Sequence, residues 1–289
     1  MTFKEKIDSG KFLVTSEVGP PKGIETAKIL DEAQLIRGRV DAINVTDLQS
    51  SMMRLGSLAV CALLKREGFD PIYQLTCRDR NRLALQSDIL SAAALAIENL
   101  LILTGDHPQL GDHPEAKPVF DLDSVQLLEI VKGLQQGFDM KGNKLEGRLP
   151  KFCVGAVVNP GADPLEPQIL KMEKKLEAGV DFFQTQAVYD IGVFEHFLSK
   201  VKHLKTTILA GVVVLKSAKM ALYMNKFVAG VSVPEPLIKE IDEAGDKTAA
   251  SIDISARLIR DLKPLCRGVH IMPIGWNKLL PRILDAAGL

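Results

Sequence analysis

Several apolar segments of this chain end on polar residues that could take part in chemistry. Thr104-Gly105-Asp106 closes an apolar run that begins at Asn99. The glycine lets the backbone approach a ligand closely, and the aspartate adds a carboxylate beside it. Glu17 ends an earlier segment, just before the rigid turn Pro20-Pro21. A carboxyl group held there is a candidate general acid, because burial favours its protonated form.

The elements that would position these residues alternate between strand and helix. An apolar run from 71 to 77, an amphipathic helix from 83 to 97 and a second apolar run from 99 to 104 predict a β-α-β unit with parallel strands. The same alternation predicts further strands at 12–17, 42–46, 152–158, 181–185, 207–215 and 268–272. It predicts further helices at 24–36, 53–66, 124–136, 167–178, 192–201, 217–226 and 279–286, with two more helical stretches between 236 and about 261.

Eight strands, each followed by a helix, predict an α/β fold, a single (β/α)8 TIM barrel with extra helices near the C-terminal end. A doubly wound sheet is disfavoured, because it needs fewer strands and a glycine-rich first turn of the form Gly-x-Gly-x-x-Gly, which is absent. No break in composition divides the 289 residues, so one domain over 1–289 is predicted. In such a barrel the functional residues lie at the carboxyl ends of the strands.

Composition excludes several classes of function. Lys plus Arg and Asp plus Glu number 36 each, so neither a nucleic-acid surface nor a membrane surface is indicated. The four cysteines, at 61, 77, 153 and 266, have no paired spacing, which argues against a metal site and against disulfides. They are predicted to be small buried residues in a reducing compartment. The charged N-terminus and the absence of a long apolar run predict a cytoplasmic protein.

Each candidate also has a structural interpretation from the residues alone. Glu17 could be a rim residue or a salt-bridge partner, and Thr104 to Asp106 could be a simple turn. Lys175, late in a predicted helix, could be a solvated residue near the helix C-terminus. His107 and His113 are predicted to be exposed, whereas His270 is predicted to line the barrel or its core.

Six motifs occur in a fixed order along the chain: Ser16-Glu17-x-x-Pro20-Pro21, Asn44-Val-Thr46, Leu75-Thr-Cys-Arg-Asp79, Leu103-Thr-Gly-Asp106, Lys175-Leu-Glu-Ala-Gly179 and Thr185-Gln186. Together they resemble the 5,10-methylenetetrahydrofolate reductase family over essentially the whole chain. The resemblance implies a flavin-bearing catalytic barrel. Within the family, the chain resembles the short bacterial form, and the resemblance implies the catalytic barrel only.

The resemblance implies roles for individual residues. Glu17 would donate a proton to the folate, and Asp106 would lie beside the flavin and the pterin, so both are candidate catalytic residues. Gln186, with Asp106, would bind the substrate. The implied cofactor-binding residues are Thr46, Gln74, Thr104, Gly105, Asp106, Asn159 and Lys175, and no metal is implied. The chain departs from many relatives at Gln74, Thr104, Ala218 and Trp276, where they have His, Arg, an aromatic residue and Arg.

The implied activity is an oxidoreductase acting on CH–NH groups, which reduces 5,10-methylenetetrahydrofolate to 5-methyltetrahydrofolate in one-carbon metabolism and methionine biosynthesis. FAD is the implied cofactor, with FMN as the alternative, and NADH or NADPH the co-substrate. Nicotinamide and folate would share one slot, which implies ping-pong kinetics. The alternative is a folate- or flavin-binding barrel subunit that receives electrons from a partner protein, and a homo-oligomer also stays open. A barrel lyase or aldolase would need a Schiff-base lysine, for which Lys216 is the only candidate.

Overall fold

Eight parallel strands form a closed barrel in a computed structural model that describes residues 1–289. Each strand pairs with the next in sequence, and β8 closes the barrel against β1. This confirms the predicted (β/α)8 barrel. The strands are β1 (Leu13–Val18), β2 (Ala42–Val45), β3 (Pro71–Thr76), β4 (Asn99–Leu103), β5 (Cys153–Val158), β6 (Phe182–Ala187), β7 (Thr207–Val213) and β8 (Gly268–Met272).

Helices follow the strands around the outside of the barrel, and a core of 52 buried apolar residues lies mainly between the two layers. Two extra helices, α9 (Glu235–Glu243) and α10 (Lys247–Leu262), lie between β7 and β8, as the sequence predicts. The helices are α1 (Phe3–Asp8), α2 (Ala27–Gln34), α3 (Ser57–Arg66), α4 (Arg82–Ala94), α5 (Ser124–Gln135), α6 (Glu166–Glu177), α7 (Ile191–Val201), α8 (Ala218–Phe227), α9 (Glu235–Glu243), α10 (Lys247–Leu262) and α11 (Leu280–Ala287).

Helix α1 was not predicted from the sequence, and it packs against the amino-terminal end of the barrel. Phe3 is fully buried and meets the ring of Phe182 edge-on, with the ring centroids 5.3 Å apart. Phe3 and Ile7 join an apolar cluster with residues from the starts of the strands, such as Leu13 and Ile72. The six-residue helix is too short to show an apolar period, but its capping box, Thr2 with Glu5, was a usable signal.

Two helices begin later than the sequence predicts. Helix α3 starts at Ser57 instead of Met53, because the backbone N–H groups of Met53 and Leu55 donate to Asp112 Oδ1 and the Pro21 carbonyl. Those tertiary hydrogen bonds hold the segment outside the helix. Helix α2 starts at Ala27 instead of Ile24, whose side chain is 83% exposed and therefore adds nothing to an apolar face.

The cysteines and histidines lie largely where the sequence predicts. Cys77 and Cys153 are buried core residues, and burial raises the pKa of Cys77 to about 12. His107 and His113 are exposed, and His270 is buried in β8. None of the helices combines the length and the apolar character that crossing a bilayer would require.

Candidate active site

A cavity of about 480 Å³ opens at the carboxyl ends of the barrel strands. Its volume lies in the range of small-molecule binding sites. Polar residues from strand ends and the following loops dominate its lining, with six hydrophobic residues among 24. The predicted site residues that line it are Glu17, Gln74, Thr104, Gly105, Asp106, Asn159, Lys175 and Gln186. Thr46 is buried at the end of β2 but is not among the lining residues.

Glu17 lies in β1 and is only 7% exposed. Its Oε1 accepts a hydrogen bond from Gln49 Nε2 at 3.4 Å, and its Oε2 lies 3.7 Å from His270 Nε2. No lysine or arginine pairs with it, and His270 would form an ion pair with it only if the ring were protonated. A second cavity of about 370 Å³, lined by Glu17, Pro20 and Pro21, adjoins it. Glu17 is therefore a buried carboxyl group that faces open space.

Gly105 and Asp106 form the rim of the cavity after β4. Gly105 has φ +91°, and a Cβ atom there would lie 3.1 Å from the Cβ atoms of both Thr76 and Arg78. Only glycine fits this turn without displacing its neighbours. The Asp106 carbonyl accepts hydrogen bonds from Ser51 Oγ at 2.9 Å and Arg78 Nη1 at 3.3 Å, while its carboxylate makes no hydrogen bond and is exposed. The backbone is thus held, and the carboxylate stays free to bind a ligand.

Arg78 joins two rim loops, a role that the sequence did not predict. Its side chain is 2% exposed, and it donates to Ser51 Oγ at 3.0 Å and the Leu48 carbonyl at 3.2 Å as well as to Asp106. Leu48, Ser50 and Ser51 have φ angles of 46°, 56° and 56°, a strained region for residues with side chains. The buried guanidinium holds this strained loop in place. Its position in the motif 75–79 was the available signal.

Asp47 and Arg80 form a second network beneath the rim. The Asp47 carboxylate is fully buried and accepts from Arg80 Nη1 at 2.8 Å, from the Thr76 N–H at 3.0 Å and from Ser57 Oγ at 3.1 Å. Burial opposes the charge on Arg80, but the hydrogen bonds to Asp47 outweigh it and hold the pKa of the guanidinium above its usual value. The network ties the ends of β2 and β3 together. The network was not predicted from the sequence, although Asp47 directly follows a predicted strand.

Lys175 lies in α6 and is only 4% exposed, which excludes the interpretation of a solvated lysine. Its Nζ donates to the Val157 carbonyl at 2.6 Å, and no carboxylate pairs with it. Burial lowers the pKa of Lys175 to about 8, and the charge of Lys171, which also lines the cavity, adds to the effect. A buried ammonium without an anionic partner is suited to bind an anionic ligand such as a phosphate.

We expect Lys175→Met to stabilise the ligand-free protein at pH 7 by on the order of 1–3 kcal/mol, because it removes a buried charge. The folded-state pKa of about 8 lies below the ordinary 10.5, so the cost of burial is full below pH 8. This cost is lost as the pH rises from about 8 toward 10.5, because over that range the unfolded chain binds a proton at Lys175 that the folded chain has released. Urea unfolding at pH 7 and pH 10 measures both effects. Lys174→Met, at an exposed neighbouring position, is the matched control; equal shifts in the two variants would contradict the prediction.

The side-chain amides of Asn159 and Gln186 both form hydrogen bonds with backbone groups. Asn159 Nδ2 donates to the Ala229 carbonyl at 2.9 Å, and its Oδ1 accepts from the Gly161 N–H. Gln186 Oε1 accepts from the N–H of the next residue at 2.9 Å. Lys216 donates to the Ile274 carbonyl and does not line the cavity, which argues against a Schiff-base role there. Ala218 and Trp276 do not line the cavity either.

Comparison with known proteins identifies a family that the chain matches over nearly its whole length. A family model described as methylenetetrahydrofolate reductase matches residues 2–288. Methylenetetrahydrofolate reductase 2 of Schizosaccharomyces pombe is 22% identical over 238 residues, which cover 74% of this chain and 35% of that protein. A probable methylenetetrahydrofolate reductase (NADPH) of Caenorhabditis elegans is 22% identical over 259 residues, 86% of this chain and 36% of that protein. The chain thus spans about a third of the length of the curated relatives it matches.

Two solved structures share the fold. A protein from Clostridium thermocellum that binds two copies of 5-methyl-5,6,7,8-tetrahydrofolic acid superposes with a TM-score of 0.64 at 17% identity, over 99% of this chain and 97% of that chain. A 2,3-dimethylmalate lyase superposes with a TM-score of 0.55 at 10% identity, over 100% of this chain and 85% of that chain. At these identities the likeness concerns the barrel fold alone.

Proposed function

Because this chain belongs to the methylenetetrahydrofolate reductase family, whose model matches residues 2–288, we propose that it reduces 5,10-methylenetetrahydrofolate to 5-methyltetrahydrofolate. The placement of Glu17 carries this proposal most directly. It is a buried carboxyl group at the cavity, and no lysine or arginine pairs with it. We further propose that residues 1–289 form one catalytic barrel domain, since the helices pack around a single closed barrel.

We propose FAD as the hydride carrier, with FMN as the alternative, because the residues present fit a flavin nucleotide. Lys175 offers a buried ammonium to a phosphate. The Thr46 hydroxyl is buried at the end of β2 without a hydrogen-bond partner, and Gln74 lines the cavity. Thr104, Gly105 and Asn159 complete the lining on this side. When bound, the flavin would supply a hydride acceptor and donor that links the nicotinamide to the folate.

Glu17 and two rim residues would act on the folate directly. Glu17 would protonate N10, so that the bond from N10 to the methylene carbon breaks with its electron pair on nitrogen. The five-membered ring then opens to an iminium at N5, which is ready to accept a hydride. The free Asp106 carboxylate would accept a hydrogen bond from the pterin amino group, and the Gln186 amide would bind a heterocycle edge. Burial of Glu17 keeps bulk water away from the proton.

We propose that the nicotinamide and the folate use this cavity in turn, which predicts ping-pong kinetics. NADH and NADPH both stay open, since the Caenorhabditis elegans relative is named with NADPH and a Zea mays relative with NADH. Anaerobic addition of reduced nicotinamide to the purified protein tests the proposal. A yellow protein that bleaches supports the reductase. A yellow protein that does not bleach favours the alternative subunit fed by a partner protein, and a colourless protein that flavin cannot reconstitute contradicts both.

We expect Asp106→Asn to weaken folate turnover and to raise the midpoint potential of the bound flavin, while the fold stays intact. A nearby negative charge disfavours the anionic reduced flavin, so its removal makes reduction easier. The fold should tolerate the change, because Ser51 and Arg78 donate hydrogen bonds to the Asp106 carbonyl and no side chain donates to its carboxylate. Potentiometric titration measures the shift. Glu115→Gln, which removes an exposed charge from the same loop, is the control, and an unchanged potential in Asp106→Asn would refute the role.

A further inference from the structure

A chain of buried polar side chains leads from the middle of the barrel to Glu17. Thr15 in β1 stands in register with His270 in β8. Its Oγ1 lies 3.0 Å from His270 Nδ1 and accepts a hydrogen bond from Gln184 Nε2 at 3.2 Å. Thr15, Gln184 and His270 are each at most 3% exposed. The proposed function uses none of these residues.

The amide of Gln184 is oriented by a second amide across the barrel. Asn44 Nδ2 donates to Gln184 Oε1 at 2.8 Å, and Gln184 Nε2 donates to Asn44 Oδ1 at 3.2 Å. In this orientation of the pair, the nitrogen of Gln184 lies on the side that faces Thr15. Thr15 Oγ1 therefore receives a hydrogen bond from Gln184 and is left with its own hydrogen to donate.

The Thr15 hydroxyl selects the tautomer of His270. It has two acceptors in reach, His270 Nδ1 at 3.0 Å and the Val269 carbonyl at 3.5 Å. When the hydroxyl donates to the nearer acceptor, Nδ1 accepts, and a ring that carries one hydrogen carries it on Nε2. Nε2 is the atom that faces Glu17 Oε2, 3.7 Å away.

We propose that His270 is a positioning residue for Glu17. Its Nε2–H faces one carboxyl oxygen while Gln49 donates to the other, so that the group is held toward the cavity. Once Glu17 has given its proton to N10, the same Nε2–H stabilises the carboxylate that remains. The inference rests on the proposed function, in which Glu17 is the acid. The role of His270 is to orient and stabilise Glu17 without touching the folate.

Nitrogen NMR of ¹⁵N-histidine-labelled protein at pH 8 tests the tautomer without any turnover. The His270→Asn variant identifies the His270 signals among the five histidines. We expect the Nε2–H tautomer in the wild-type protein and a shift toward the other tautomer in Thr15→Val, which removes the hydroxyl but keeps the branched shape. A wild-type ring with its hydrogen on Nδ1, or with both nitrogens protonated, would overturn the inference.

Two amide substitutions at position 270 separate positioning from mere structural support. The nitrogen of Gln can reach the place of Nε2, whereas the amide of Asn reaches only the place of Nδ1. We expect His270→Asn to slow the folate half-reaction by about 10–100-fold and His270→Gln by less than about 5-fold, as for other groups that orient an active residue. Flavin reduction by nicotinamide should change by less than about 2-fold in both. Equal losses in the two variants, or no loss in either, would refute positioning.

The double variant with Glu17→Gln distinguishes failure of this inference from failure of the proposed function. If His270 acts through Glu17, His270→Asn costs nothing more once Glu17 is replaced. Full additivity of the two losses would overturn the inference and leave the acid role of Glu17 intact. A Glu17→Gln variant with a normal folate half-reaction would instead remove the proposed role of Glu17, and this inference with it.

Discussion

Replacing Glu17 with Gln is expected to slow the folate half-reaction by about 10²–10⁴-fold and to leave flavin reduction by nicotinamide near normal. Opening the folate ring needs a proton at N10, whereas hydride transfer from nicotinamide to flavin needs none. Glutamine has nearly the volume of glutamate, and Glu17 has no lysine or arginine partner that the change would orphan. Stopped-flow measurement of each half-reaction separates the two effects.

Glu25→Gln is the matched control for Glu17→Gln, because this exposed carboxylate lines only the neighbouring cavity. It should leave both half-reactions unchanged. Near-normal reoxidation of reduced flavin by methylenetetrahydrofolate in Glu17→Gln would show that another group is the acid. Equal losses in both half-reactions would assign Glu17 to cofactor binding instead.

Asp47→Asn is expected to lower the free energy of unfolding by about 3–5 kcal/mol, the usual cost of breaking a buried ion pair. The carboxylate is fully buried and accepts hydrogen bonds from Arg80, Thr76 and Ser57. An amide nitrogen in place of either oxygen would face an N–H of Arg80, so that donor would lose its acceptor. Urea unfolding followed by circular dichroism measures the change in midpoint.

Asp88→Asn serves as the control for Asp47→Asn, since Asp88 pairs with Arg80 through Nε but is partly exposed. We expect it to cost less than about 1 kcal/mol, as for other partly exposed ion pairs. If the two variants lost the same stability, the Asp47 network would not tie the strand ends together. A site effect would also be expected in Asp47→Asn, because Asp47 and Thr76 line the cavity.

The sequence by itself determined the barrel and the place of most site residues. Apolar strand-forming runs alternate with helical periods eight times, a pattern that favours a closed parallel barrel, and the barrel is observed. Because parallel strands all point the same way, polar residues at their carboxyl ends meet at one mouth. Glu17, Asp106 and Gln186, far apart in sequence, therefore line the same cavity.

Only the tertiary structure decided what each of those residues contacts. Arg78 donates to the carbonyl of Asp106, which lies 28 positions later in the sequence. Arg80 donates to Asp47 over a separation of 33 positions, and Thr15 contacts His270 over a separation of 255 positions. The same was true of Lys175, whose place late in a helix suggested solvent until the barrel covered it. The physical reason is that apolar periodicity reports which face of an element is buried. The partners of a buried polar group depend instead on the register and closure of strands, which no local pattern encodes.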